Sequence, residues 1–179
     1  MSDVSVNTPT NVAGLEGSPV PYALSVMRLA DLASLQNGRA SATIFALSSA
    51  DKLHESPRLS VWVEGLTSVE AAWILTGRVR ERRAVLTLPV AAIRALVPTP
   101  PEPIHPGLEV EWERATILDA LGNRVVDFRP GAEGHAGIAR LDDRFGTKTQ
   151  RKSLRVRLAD LATVRILNEV ELDRIAAAT

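Results

Sequence analysis

Between Ala23 and Gln36 the apolar residues Leu24, Met27, Leu29, Leu32 and Leu35 recur at helical spacing. Asn37-Gly38 follows as a stop signal, so the pattern predicts a helix here. Ala42 to Leu47 (ATIFAL) is a short apolar run bounded by serines, the signature of a buried strand. The polar loop SSADKLHESPR carries His54 and ends in Pro57-Arg58. Leu59 to Glu64 (LSVWVE) alternates as a strand. Thr67-Ser68-Val69-Glu70 reads as a capping box with Thr67 as N-cap, opening a short helix that Gly77 closes. RVRERR (78–83) is a charged connector, AVLTL (84–88) a strand, and Pro89 suits the first turn of a second short helix.

Residues 98–107 (PTPPEPIHPG) hold five prolines and predict a stiff, extended excursion. Leu108 to Leu118 alternates like a strand, with Arg124 to Phe128 as its hairpin partner across 119–123. From Lys148 a helix stacks Lys148, Arg151, Lys152 and Arg155 on one face, with Leu154, Leu158 and Leu161 on a neighbouring one. Thr147 or Thr149 supplies its cap. Asn168 and Glu171 cap a final helix. The hexapeptide RLADLA occurs at 28–33 and 157–162 without a repeat around it. Short mixed elements of this kind predict an α+β fold: a single small domain over 23–179, with one mixed or antiparallel sheet flanked by short helices. Residues 1–22, polar and aperiodic, are expected to be a flexible tail, with an edge strand or docking arm as the alternative.

Composition narrows the function classes. The chain has 179 residues, 45% hydrophobic and 23% charged, which suits a globular domain. Aromatics are only 4%, so Leu, Val, Ile and Ala must build the core around Trp62, Trp73 and Trp112. A formal net charge of zero argues against a surface tuned as a whole to nucleic acid or anionic membrane. The absence of cysteine excludes disulfides, thiolate catalysis and zinc–sulfur sites. No apolar run reaches membrane-spanning length, and MSDVSVNTPTNVAG lacks the features of a secretory signal. A cytoplasmic protein with no membrane partner is the expectation.

Candidate chemistry is sparse. The cationic face of this basic helix (144–157) lies at a helix N-terminus, which favours acids, at a cost of roughly a few tenths of a kcal/mol per charge. A bound anion would relieve it, so Lys148, Arg151, Lys152 and Arg155 are the candidate binding residues. The competing reading is an ordinary solvated face, since arginine is this chain's habitual surface cation. His54 and His135 stand in loop contexts with Asp51, Glu55, Glu133 and Asp142 nearby in sequence, and are the candidate catalytic residues. A structural role is the alternative for each, and for His105 among its prolines. GAEGHAG (131–137) is neither a P-loop nor a dinucleotide turn; a phosphate nest or a plain loop would fit it. No three ligands converge by spacing, so neither a metal nor a cofactor is predicted.

The segments L-H-x-x-P-x-L-S-V (53–61), T-x-x-E-A (67–71) and G-H-A-x-I (134–138) before a basic helix together resemble small uncharacterised bacterial proteins of conflict and phage-defence gene neighbourhoods. The resemblance covers about the middle two-thirds of the chain. It implies a bacterial accessory protein and assigns no activity. Three functions therefore compete: a non-enzymatic module presenting the basic helix to nucleic acid or an acidic protein face, a small hydrolase using His54 with His135, and a structural subunit of a larger assembly.

Overall fold

A computed structural model describes residues 14–52, 55–77, 80–98 and 105–177. His54 and most of the proline-rich stretch lie outside the described residues. In chain order the strands are β1 (Ser25–Ala30), β2 (Leu35–Gln36), β3 (Arg39–Ala40), β4 (Arg58–Val63), β5 (Ala84–Pro89), β6 (Glu109–Trp112), β7 (Thr116–Leu118), β8 (Arg124–Val126), β9 (His135–Ala139) and β10 (Thr163–Ile166). The helices are α1 (Ser49–Lys52), α2 (Val69–Leu75), α3 (Val90–Arg94), α4 (Lys148–Leu161) and α5 (Glu169–Ala177). Six strands form one antiparallel sheet in the order β10-β5-β1-β4-β9-β6, making the chain an α+β single domain. β2 with β3 and β7 with β8 form separate two-stranded ribbons.

Alternation along each strand sorts the side chains to two faces. Val26, Leu59, Val61, Val63, Leu86, Leu88, Val110 and Ile138 enter one core, closed by Leu154 and Leu158 of α4 and by Phe45. Each fully buried leucine contributes about 2 kcal/mol. Met27, Leu29, Trp62 and Val85 enter a second core on the opposite face, closed by Trp73 of α2 and by Leu172 and Ile175 of α5. That second layer covers the β10-β5-β1 half. On the same face, the β4-β9-β6 half carries Arg58, Ser60, His135, Gly137 and Glu111.

The two halves of the sheet are barely joined. β1 pairs with β5 from Ser25 to Ala30, and β4 pairs with β9 from Arg58 to Trp62. Between β1 and β4 the register contains just Val26↔Val63 and Met27↔Trp62. On one side Glu64 N–H still donates to Ser25 O at 2.9 Å, and past Met27 and Trp62 the strands part.

Several local expectations are corrected. Residues 23–36 form β1, a 3-10 turn (Leu32–Ser34) and β2 instead of a helix. β1 is buried on both faces, which removes the alternation that would mark it as a strand. Asn37 (φ 52°) and Gly38 (φ 74°) are the two left-handed residues of the β2–β3 hairpin turn rather than a helix stop. ATIFAL is a 3-10 turn (Ala42–Phe45) that drops Ile44 and Phe45 into the core, where a strand was expected. Ser68, not Thr67, caps α2 by accepting from the N–H of Ala71. The expected tail ends early: Val20 is fully buried, and Gly17, Ser18 and Val20 exchange backbone hydrogen bonds with Val110 and Trp112 of β6. Pro19 forms an isolated antiparallel bridge with Glu111.

Candidate functional site

Where β1 and β4 part, the sheet holds a groove of about 380 Å³. A second cleft of about 220 Å³ lies over the polar half of the sheet, and the two share Asp51, Ser60 and Trp62. At the groove sits Arg28. Its Nε donates to Ile44 O at 3.1 Å and its Nη1 to Ser60 O at 2.6 Å. These carbonyls lack strand partners, so the side chain supplies the donors that backbone pairing would have given. Both acceptors are neutral, and no carboxylate among the described residues forms an ion pair with this guanidinium. Burial lowers its pKa to about 10, against an opposing pull from Asp51 and with a smaller push from Arg82.

The second cleft is built by strand register. Trp62 lies opposite His135, and Ser60 opposite Gly137, which in turn faces Glu111. Two residues beyond Glu111 on the same face, Glu113 meets His135: Oε2 lies 3.9 Å from Nδ1, too far for a hydrogen bond. That oxygen is buried and has no hydrogen-bond partner among the described residues. Desolvation pushes Glu113 up to about 7, against the pull of Arg58. The Trp62 and His135 rings pack at 4.8 Å. Arg58 bridges to Glu111 at 2.6 Å. Gly137 makes the arrangement fit, since a Cβ there would stand 2.5 Å from Arg58 Cβ and 3.1 Å from Glu113 Oε2. Arg129 grips Asp127 through two nitrogens and holds its carboxyl below the usual range.

The rim of this cleft, at Thr116, Arg124 and Asp127, is the base of the β7–β8 hairpin. Its turn is locally made: Asp119 accepts from the N–H groups of Leu121 and Asn123, and Gly122 takes φ 82°. Beside exposed Thr116, Asn123 and Arg124, its surface carries large apolar side chains. Leu121 is 86% exposed, Phe128 88% and Leu118 63%, and the cross-strand pair Ile117 and Val125 is also exposed. A two-stranded ribbon of this size is marginal alone in water, and neither of its strands joins the main sheet.

The residues singled out in the sequence are scattered. His135 stands in the cleft, and the carboxylate that meets it is Glu113 rather than Asp51, Glu55, Glu133 or Asp142. Asp142 is held by Arg144. His54 is outside the described residues. His105 is buried, with Nδ1 accepting from Gly107 N–H, which leaves Nε2–H to donate to Arg140 O. On α4, Lys148 and Lys152 are exposed and Arg155 is half-buried. Arg151 donates to Phe145 O and Gly146 O. The helix start is closed by a capping box of Thr147 with Gln150. Arg80 and Arg83 are held by Glu169, and Arg80 also by Asp173. GAEGHAG is a 3-10 turn leading into β9, with Gly134 pressed against Thr67. Sequence reasoning missed Arg28 and Glu113. For Glu113 the visible signal was a charge at the end of the strand pattern EVEWE; for Arg28 it was a charge inside the apolar run SVMRLA.

Among the described residues, no group of three His, Asp or Glu side chains converges as a metal site, and no helix is long and apolar enough to cross a membrane. Comparison with family models, curated proteins and solved structures finds no match to this chain.

Proposed function

We propose that the chain is a non-enzymatic interaction module that presents the β7–β8 hairpin to a protein partner. One observation carries this reading: Ile117, Leu118, Leu121 and Val125 of the small ribbon outside the main sheet, and Phe128 just after it, expose large apolar side chains. Clustered exposed apolar surface marks interaction sites, whereas isolated exposed apolar residues do not. The hairpin walls the His135–Glu113 cleft, so a partner enclosing it would also close that cleft's rim.

The test is the triple substitution Leu118→Lys, Leu121→Lys, Phe128→Lys. These side chains are exposed, so the variant should keep the wild-type Tm. The wild type should bind an apolar dye or show a concentration-dependent mass by light scattering, and the variant should do neither. Identical dye binding and mass in the two proteins would remove the reading.

A second reading places an anionic partner, nucleic acid or an acidic protein face, on α4. It is favoured by exposed Lys148 in a first turn that holds no acid, with exposed Lys152 one turn further on. Binding to single-stranded and duplex nucleic acid that weakens steeply with salt, and is lost in Lys148→Glu/Lys152→Glu, would support it. Binding that the double variant leaves unchanged would end it.

A further inference from the structure

We infer that the groove between β1 and β4 is a binding site for a small organic carboxylate, with the Arg28 guanidinium as its anchor. The strands separate after Met27 and Trp62, and the opening of about 380 Å³ falls within the range of small-molecule pockets, about 300–1,000 Å³. Arg28 enters this opening from β1. Its Nε and Nη1 are fixed by the carbonyls of Ile44 and Ser60, which aim the guanidinium but do not neutralise it. Nη2 makes no hydrogen bond among the described residues. A largely desolvated cation without a carboxylate is costly, and a planar carboxylate accepts from a guanidinium with matched geometry.

The other charges facing the groove decide the ligand class. Arg82 stands 3.7 Å from Asp31, and Asp51 accepts the N–H of Ser48 at 2.7 Å. The two acids line the same groove as Arg28. A dianionic phosphate would meet both of them, while a singly charged carboxylate meets less repulsion and still satisfies Arg28. The groove is lined by no hairpin residue, although it shares Asp51, Ser60 and Trp62 with the cleft that the hairpin walls.

The experiment follows the Arg28 Nε–H and the amides of Ser60 and Trp62 by NMR in the full chain. The probes are formate, acetate, lactate, succinate, glycine, glutamate and inorganic phosphate. At least one carboxylate should shift all three signals saturably, and phosphate should bind more weakly. Arg28→Lys should weaken that binding at least tenfold. Because Arg28 also supports the fold, Ser34→Phe provides an independent arm: it fills the groove from its wall, should retain the wild-type Tm, and should abolish the shifts. The inference is overturned if no carboxylate moves the Arg28 signal, if Ser34→Phe leaves binding intact, or if phosphate binds as tightly as the best carboxylate.

Discussion

Arg28 Nη1 donates to Ser60 O at 2.6 Å, across the place where β1 and β4 cease to pair. One side chain thereby replaces part of a strand ladder. Arg28→Met removes the charge but leaves the carbonyls of Ser60 and Ile44 without those donors. An unsatisfied buried carbonyl costs about 1–3 kcal/mol, and urea denaturation should show a loss of that order. An unchanged midpoint would mean that water or backbone repairs the gap.

Glu113 sets an unusual pH dependence. Its folded pKa is about 7, raised from 4.5 by desolvation. Between those values the folded chain retains a proton that the unfolded chain releases. The contribution is therefore full below pH 4.5 and is lost as pH rises through 7, by at most about 3 kcal/mol. Asp127 and Asp142 have lowered pKa values and act in the opposite sense, losing stability as pH falls. Glu113→Gln should flatten the decline between pH 4.5 and 8 and be more stable than the wild type at pH 8. Equal pH slopes in chemical denaturation would contradict the assignment.

Gly134 and Gly137 are packing glycines. A Cβ at Gly134 would stand 2.2 Å from Thr67 Oγ1, the hydroxyl that donates to Gly131 O. Gly134→Ala should cost about 1–3 kcal/mol through overpacking. Gly137→Ala should cost a similar amount while also displacing Arg58 and Glu113. Thermal melts of the two variants check this, and Tm values equal to wild type would refute the packing role.

The start of α4 depends on its box. Thr147 Oγ1 accepts from Gln150 N–H, and Gln150 Oε1 accepts from Thr147 N–H. Thr147→Ala should lower stability by about 1 kcal/mol, read as a shift in the urea midpoint without a change in slope.

The cap-bounded helices were the most legible parts of the sequence. The α4 cap at Thr147 and the Asn168–Glu171 box of α5 could be read from side-chain chemistry because a cap acts within four residues. RLADLA shows where that locality ends. At 157–162 it completes α4, while at 28–33 its first half lies in a central strand. The local residues are identical, and burial by β5 on one side and β4 on the other decides between the outcomes. The site was less legible for the same reason. Glu113 meets His135 only through the β6–β9 register, and Arg28 matters because two strands separate, which no local spacing encodes.

The hairpin claim is tested most directly by placing a photo-crosslinking phenylalanine analogue at Leu121 or Phe128, and at Val170 as an exposed apolar control on α5. Irradiation in the producing cell should give one discrete protein adduct from 121 and from 128, and none from 170. An adduct of twice the chain's mass would make that partner a second copy. Adducts of equal yield and pattern at all three positions, or none at 121 and 128, would contradict the account.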